Sequence, residues 1–253
     1  GLGDDTLTAS IGDDTLNGDF GDDTLTYAAV ATESDDSLVV SLDGSNGVTA
    51  TLTICNGVGE DDVYSQTISG FENVTGTAGD DIINGDTNVN QIIGGDGDDT
   101  IKGGTRGDDL QGGDGDDTLL FNDLVTAGVD LDISAGTAFF SGDGETDTFS
   151  SFEHFVTTIK DDTIITKDAF VDDVQGLAGD DVFSASSGSD TLDAGEGSET
   201  DGDTIDYSTL SGGTEFITID LSDDDGGGFM TVTVTNGDDD QIRDFENVIG
   251  TDR

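Results

Sequence analysis

Acidic side chains return at one position of a nine-residue repeat, and this spacing is the feature of the sequence best suited to chemistry. Residues 76–120 divide without a gap into GTAGDDIIN, GDTNVNQII, GGDGDDTIK, GGTRGDDLQ and GGDGDDTLL, and residues 1–26 keep the same register. The sixth position is occupied by Asp5, Asp14, Asp23, Asp81, Asn90, Asp99, Asp108 and Asp117. Carboxylate oxygens are hard ligands, so a regular row of them predicts binding of a hard cation.

A third, less regular block covers residues 158–206. Its sixth-position acids follow one another at intervals of 10, 9, 9 and 13 residues, which indicates insertions of one and four residues. Across the three blocks, the predicted metal ligands are Asp5, Asp14, Asp23, Asp81, Asp99, Asp108, Asp117, Asp162, Asp172, Asp181, Asp190 and Asp203.

The spacing of β-strands indicates which cation these acids would bind. If two units form one coil, equivalent loops recur every 18 residues and lie about 4.8 Å apart. A Ca²⁺–oxygen bond is about 2.3–2.6 Å long, so one ion fits between carboxylates of successive coils, and loop carbonyls would complete its six to eight ligands. The predicted pairs are Asp5 with Asp23, Asp81 with Asp99, Asp99 with Asp117, Asn90 with Asp108, and Asp172 with Asp190.

Other common metals suit this sequence less well. Zinc prefers His and Cys ligands, and the chain has one of each. Magnesium requires a tighter octahedron than such loops offer. The sequence therefore predicts several bound Ca²⁺ ions.

Short strands must hold these loops in place. The eighth position of each unit is a single aliphatic residue, such as Ile83, Ile101 or Leu119. Side chains alternate along a strand, so this residue points inward while its two neighbours point outward. Glycines at the turn positions permit the positive φ angles that tight loops need. The fold class predicted from this period is all-β, with blocks of parallel β-roll, a type of β-solenoid.

Three longer segments interrupt the nonapeptides, and their period-two alternation predicts β-hairpins. Each segment ends in a similar element, which reads ISGFENV at 68–74, FSSFEHF at 149–155 and IRDFENV at 242–248. The predicted domains are β-roll blocks at 1–26, 76–120 and 158–206, alternating with hairpin segments at 27–75, 121–157 and 207–253.

The two ends of the sequence resemble interior parts of it. FENVIGTDR at 245–253 parallels the start of FENVTGTAGDD at 71–81, where the earlier copy leads into a β-roll block. The first block begins within a nonapeptide. We therefore expect an internal segment of a longer protein.

Charge excludes several classes of partner. The chain has 58 acidic residues against 6 Lys and Arg, for a formal net charge of -52. Nucleic acids and anionic membranes attract basic surfaces, which six scattered cations do not supply. Only 32% of the residues are hydrophobic, so something besides a large apolar core must hold the fold together.

The nonapeptides resemble those of the RTX (repeats-in-toxin) family, the hemolysin-type calcium-binding repeats of bacterial exported proteins. The resemblance is most specific in residues 1–26 and 76–120, and Asn88, Asn90 and Arg106 depart from the family pattern. It implies a right-handed β-roll with Ca²⁺ between the loops. It also implies type I secretion, folding on contact with external calcium, and an extracellular or bacterial cell-surface location.

The sequence offers little for catalysis. It contains neither H-E-x-x-H nor G-x-S-x-G. His154, the only histidine, stands where the equivalent elements have Asn73 and Asn247, which favours a structural role. We therefore expect that the chain is not an enzyme.

Three functions remain open from the sequence. The first is a calcium-stiffened structural segment of a surface-layer, adhesin or filament protein. Its partners would be neighbouring repeats or other copies of itself, with cell-surface glycan as a further possibility. The second is the calcium-dependent C-terminal module of a secreted enzyme or toxin. The third is a ligand-binding module, such as one that recognises glycans through calcium.

Overall fold

Strands are the only regular secondary structure in the part of the chain that the structure describes. The structure is a computed structural model. It describes residues 1–29, 36–42, 48–55, 61–122, 127–142, 144–166, 172–186, 188–195, 202–208, 210, 217–220, 230–234 and 239–250. Among these residues, no helix is long and apolar enough to cross a membrane.

Twenty-five strands are described, and most of those in the nonapeptides have three residues. They are β1 (Thr6–Thr8), β2 (Thr15–Asn17), β3 (Thr24–Thr26), β4 (Ser37–Ser41), β5 (Val48–Cys55), β6 (Asp61–Ser69), β7 (Asn73–Thr75), β8 (Ile82–Asn84), β9 (Gln91–Asp96), β10 (Thr100–Lys102), β11 (Asp109–Asp114), β12 (Thr118–Leu120), β13 (Val129–Asp132), β14 (Thr137–Phe140), β15 (Thr146–Ser150), β16 (His154–Val156), β17 (Thr163–Ile165), β18 (Asp173–Gln175), β19 (Val182–Ser184), β20 (Thr191–Asp193), β21 (Thr204–Asp206), β22 (Ile217–Asp220), β23 (Met230–Val234), β24 (Asp239–Arg243) and β25 (Asn247–Ile249).

The first of two compact units comprises Gly1–Leu120 and Thr146–Phe152. One of its sheets has the order β1-β3-β7-β9-β11-β15, and the other has the order β2-β6-β5-β4-β8-β10-β12. Successive nonapeptide strands alternate between the two sheets, so two nonapeptides complete one coil. Leu7 pairs with Leu25 and Ile83 with Ile101, each in parallel and 18 residues apart. The predicted coil of two nonapeptides is confirmed.

The second unit comprises Phe121–Glu145 and Glu153–Arg253. Its sheets have the orders β14-β13-β17-β19-β21-β25 and β16-β18-β20-β24-β23-β22. Thr163 pairs with Val182 and Val182 pairs with Thr204, which are steps of 19 and 22 residues. The less regular third block therefore keeps its strand pairing despite the predicted insertions of one and four residues.

Most of the eighth positions form a narrow column of buried side chains in each unit. In the first unit Leu25, Ile83, Ile92, Ile101, Leu110 and Leu119 have no exposed surface, and in the second Val174, Phe183, Leu192 and Ile205 have none. Burying one aliphatic side chain contributes about 1.5–3 kcal/mol. Ordering a residue costs about 1–2 kcal/mol of backbone entropy alone, so one buried residue in nine does not account for the fold.

The segments between the nonapeptide blocks contain the predicted antiparallel strands, as the fold class requires. In the first unit β4, β5 and β6 form an antiparallel meander. In the second, β13 pairs with β14, and β22, β23 and β24 form another meander. A buried aromatic residue begins each segment, namely Tyr27, Phe121 and Tyr207.

Each inserted segment returns to the roll in register. The last strand of the first meander, β6, pairs in parallel with β2, and the next strand, β7, pairs with β3 and β9. In the second unit β24 pairs with β20, and β25 pairs with β21. The strands of these two F-E-N-V elements therefore belong to the roll itself, and the coil continues past both inserted segments.

Candidate metal sites in the loops of the roll

The predicted ligands lie in the loops, directly before the strands. Ten of the twelve are buried, and Asp5 and Asp14 are half-buried. The buried ten are Asp23, Asp81, Asp99, Asp108, Asp117, Asp162, Asp172, Asp181, Asp190 and Asp203. Ionised carboxylates are almost never buried in this way unless something compensates their charge.

A ladder of hydrogen bonds connects these acids from coil to coil. The backbone N–H of Asp81 donates to Oδ1 of Asp99 at 2.8 Å, and that of Asp99 donates to Oδ1 of Asp117 at 2.8 Å. The corresponding distances are 2.7 Å for Asp5 with Asp23, 2.8 Å for Asn90 with Asp108 and 3.2 Å for Asp172 with Asp190. The structure thus brings together all five pairs that the 18-residue spacing predicted.

The same ladder includes acids that the sequence analysis missed. The N–H of Asp108 donates to Asp147 at 2.9 Å, and the N–H of Asp190 donates to Asp240 at 3.1 Å. Both acceptors are buried and lie in strands that return from an inserted segment. The signal was available in Asp147-Thr-Phe-Ser, which repeats the Asp-Thr-Leu pattern of the nonapeptides.

Glutamates continue the ladder at the F-E-N-V elements. Oε2 of Glu72 accepts the N–H of Asp23 at 2.9 Å, and Oε2 of Glu246 accepts the N–H of Asp203 at 2.8 Å. The longer side chain reaches the position that Asp occupies elsewhere. These residues went unpredicted because a Glu in an aromatic element does not match the nonapeptide pattern.

Burial and the repulsion of neighbouring carboxylates disfavour the charged state of Asp99 and Asp181. Burial raises the pKa of Asp99 to about 8, and the nearby carboxylates of Asp81 and Asp117 raise it as well, against the N–H of Asp81, which lowers it. Burial likewise raises the pKa of Asp181 to about 8. A cation in these loops would remove both causes, because it replaces water as the partner of the carboxylate.

Some carboxylate oxygens are buried without a hydrogen bond. Among the described residues, these include Oδ2 of Asp23, Asp99 and Asp181. No ion pair in the described part of the chain involves any of these three acids. A buried carboxylate oxygen of this kind is a ready ligand for a metal ion.

Loop carbonyl oxygens converge with these carboxylates. A methyl group placed on Gly176 would lie 2.5 Å from Oδ2 of Asp181 and 2.5 Å from the carbonyl oxygen of Ala194 on the next coil. The same construction at Gly94 meets Oδ2 of Asp99 and the carbonyl oxygen of Gly112. Carboxylate and carbonyl oxygens therefore converge beside glycines, which have no side chain to block them, and both are ligand types that calcium prefers.

Carboxylates alone would not complete such a site. Among the described residues, no group of three or more His, Cys, Asp or Glu side chains is placed to hold one metal ion. Backbone carbonyls must therefore supply much of the coordination, as calcium sites permit. Asp23, Asp99 and Asp181 would each contribute a carboxylate, and bound calcium would supply charge neutralisation and a link between coils.

His154 has a place outside these loops. Its Nδ1 lies 3.1 Å from Oδ2 of Asp173 on a neighbouring strand, and both side chains are partly exposed. The equivalent Asn73 donates to Asp22 at 2.9 Å. The histidine thus makes a polar contact with an acid of an adjacent coil, as the asparagine does.

Comparison with known proteins agrees with this geometry. Four stretches of the chain match the family model of the RTX calcium-binding nonapeptide repeat, at residues 1–29, 67–101, 93–123 and 168–198. No curated protein matches the chain. The chain therefore contains RTX repeats, which bind several Ca²⁺ ions per array. The second match includes the last three residues of β6 and all of β7, the strands by which an inserted segment rejoins the roll.

The raised pKa values predict a pH dependence in the absence of metal. An unfolded Asp has a pKa of about 3.9, whereas Asp99 and Asp181 have pKa values of about 8 in the fold. Below pH 4 these acids are protonated in both the folded and the unfolded chain, so their burial does not lower stability. As pH rises through 8, their ionisation increasingly destabilises the fold. In excess chelator, we expect strand content by circular dichroism to increase as pH falls from 9 to 6, a range in which ordinary carboxylates stay ionised.

The control for this prediction is the Asp99→Asn, Asp181→Asn double variant, which removes only two of the 52 net negative charges. It should show a smaller change over the same pH range. An equal change in the variant and the parent would contradict the assignment to these two acids.

Asp99 should also matter strongly for calcium affinity. Changing a residue that only supports a metal ligand costs about 10–100-fold in affinity, so Asp99→Asn should raise the calcium midpoint of folding by about tenfold or more. The matched control is Asp98→Asn, which removes the same charge from the adjacent, exposed position. Calcium titrations followed by circular dichroism compare the two. Equal midpoints for both variants would show that Asp99 is not a ligand.

Proposed function

We propose that this chain is a calcium-stiffened structural segment of a secreted bacterial cell-surface protein, such as a surface layer, an adhesin or an extracellular filament. The observation that carries the proposal is the continuity of the roll within each unit. Inserted antiparallel strands leave and rejoin the coil without changing its strand pairing. A coil with this property can be lengthened by repetition while it displays different inserted segments.

Calcium gives such a coil its stiffness. Each ion lies between two loops that are neighbours in space but far apart in sequence, so it fixes one coil to the next. The -52 net charge opposes this stacking until ions neutralise it. Extracellular calcium modules commonly bind with Kd values of about 10⁻⁴–10⁻³ M, which match a protein that folds only after export.

Assembly with other copies follows the same electrostatics. The position before several of the buried acids is a second, exposed acid, as at Asp80, Asp98 and Asp116. Two such acidic surfaces repel each other unless divalent ions bridge them. Contacts between copies are therefore expected to depend on calcium, and lateral apolar contacts are expected to contribute little.

The alternative is a C-terminal module of a secreted enzyme or toxin. In that case the roll would serve one attached catalytic domain, and repeated inserted segments would have no evident use. Each of the two units carries both nonapeptide coils and an inserted antiparallel sheet. This repetition supports the structural role.

Immunogold electron microscopy of the producing bacterium tests the proposed location. Antibodies against this chain should label the surface of intact cells in millimolar calcium, and a chelator should release the label into the medium. Labelled cells kept in calcium provide the control. Label found only in the medium, on a protein with a catalytic domain, would support the alternative and contradict the proposal.

A further inference from the structure

The loops of the roll fall into two conformational classes that the spacing of the acids does not reveal. The residue that distinguishes them is the second residue of the nonapeptide, four positions before the sixth-position acid. In some loops this residue has a positive φ, and in others it does not. The class of the loop determines which atoms contact the acid.

In the first class the second residue has a left-handed backbone conformation, with a positive φ angle. Asp19, Leu177 and Gly95 have φ angles of 76°, 75° and 141°. The acids of these loops are Asp23, Asp181 and Asp99, whose Oδ2 atoms are buried without a hydrogen bond. A left-handed second residue therefore coincides with an acid whose second oxygen is not used by its own loop.

In the second class Thr occupies the second position and hydrogen-bonds to the acid. The N–H of Thr77 donates to Oδ2 of Asp81 at 2.6 Å, and its Oγ1 donates to Oδ1 at 2.7 Å. Thr158 contacts Asp162 in the same way, with distances of 2.9 and 2.8 Å. Neither threonine has a positive φ. Both oxygens of each acid are thus satisfied within the loop.

Three further loops resemble the threonine class. Oγ of Ser10 donates to Asp14, and Oγ of Ser186 donates to Asp190 at 3.2 Å. The N–H of Asp86 donates to the amide oxygen of Asn90 at 2.8 Å. In this last loop the sixth residue is neutral and accepts a hydrogen bond from its own loop, as expected if no ion has to be bound there.

Backbone stereochemistry explains the two classes. A β-branched residue such as Thr strongly disfavours positive φ, whereas Gly adopts it at little cost. In the left-handed loops the backbone N–H of the second residue makes no hydrogen bond to the acid's Oδ2. In the threonine loops the N–H and the hydroxyl both reach the carboxylate, which occupies the acceptor sites that a cation would need.

We propose that the second residue of each nonapeptide decides whether its aspartate binds calcium. A left-handed residue leaves the carboxylate of Asp23, Asp99 and Asp181 to the ion. Thr77 and Thr158 replace the ion with hydrogen bonds, so the carboxylates of Asp81 and Asp162 do not ligate calcium. This inference rests on calcium binding by the repeats and is independent of the proposed surface role.

The position of the threonine loops gives them a role in forming the roll. In each unit the coil before this loop belongs to an inserted strand, which places an apolar residue opposite the acid. The N–H of Leu38 donates to Asp81 at 2.7 Å, and that of Val129 donates to Asp162 at 2.7 Å. Leu38 and Val129 are buried and supply no carboxylate to an ion. The threonine therefore closes the first loop of a block, where the equivalent residue of the preceding coil offers no carboxylate to an ion.

The test counts bound ions in variants that exchange the two classes. Leu177→Thr should close the loop of Asp181 and remove one Ca²⁺ per chain, whereas Leu177→Ala should keep the ion count of the parent. Thr77→Gly should open the loop of Asp81 and add one Ca²⁺, whereas Thr77→Ser should add none. Native mass spectrometry in calcium gives the counts, and circular dichroism shows that each variant is folded.

The two substitutions give independent results. If Leu177→Thr does not fold, Thr77→Gly still decides the question, because a glycine at that position occurs in folded loops of the same chain. An unchanged ion count in folded Leu177→Thr, or in folded Thr77→Gly, would overturn the proposal. Loss of one ion in the first and gain of one in the second would support it.

Discussion

Carboxylates buried one coil apart are the constraint on which this fold depends. Asp81, Asp99 and Asp117 follow one another along a single edge of the first unit, and each backbone N–H contacts the next carboxylate. Burial and mutual repulsion raise the pKa of Asp99 to about 8, so the ionised ladder is unfavourable by itself. Calcium removes this cost, since two Ca²⁺–oxygen bonds together span the distance between adjacent coils.

The apolar core is narrow because the loops contribute to the stability of the coils. One fully buried residue per nonapeptide, such as Ile101, is enough to align a strand with its neighbours 18 residues away. It is too little to offset the entropy of nine ordered residues. The inserted segments add larger buried groups, among them Tyr207, whose hydroxyl donates to Asp240 at 2.9 Å. The buried core and the ladder of acids are thereby connected where this segment rejoins the roll.

The fold class and the pairing of the acids could be predicted from the sequence, because the period of nine residues sets both. Asp147 and Asp240 were missed, although they extend the same ladder, since the inserted segments interrupt the count. The roll strands within the F-E-N-V elements were missed for the same reason. The domain boundaries predicted at 26, 75, 120, 157 and 206 remain predictions.

The closure of some loops by threonine could not be predicted from spacing. Thr77 and Gly95 occupy the same position of the repeat, and the sequence shows only that one replaces the other. The backbone angle of that residue and the direction of its N–H become visible only in three dimensions. The number of ions that the roll binds depends on this detail, since the same aspartate is hydrogen-bonded in one loop and has an unused oxygen in the next.

A calcium titration followed by far-ultraviolet circular dichroism tests the central claim most directly. The chain is first equilibrated at neutral pH in excess chelator and then brought to millimolar calcium, with magnesium at the same concentration as a control. We expect a largely disordered chain in chelator and in magnesium, and a cooperative gain of strand structure in calcium. Strand content in chelator equal to that in calcium would contradict the claim that calcium stabilises the fold.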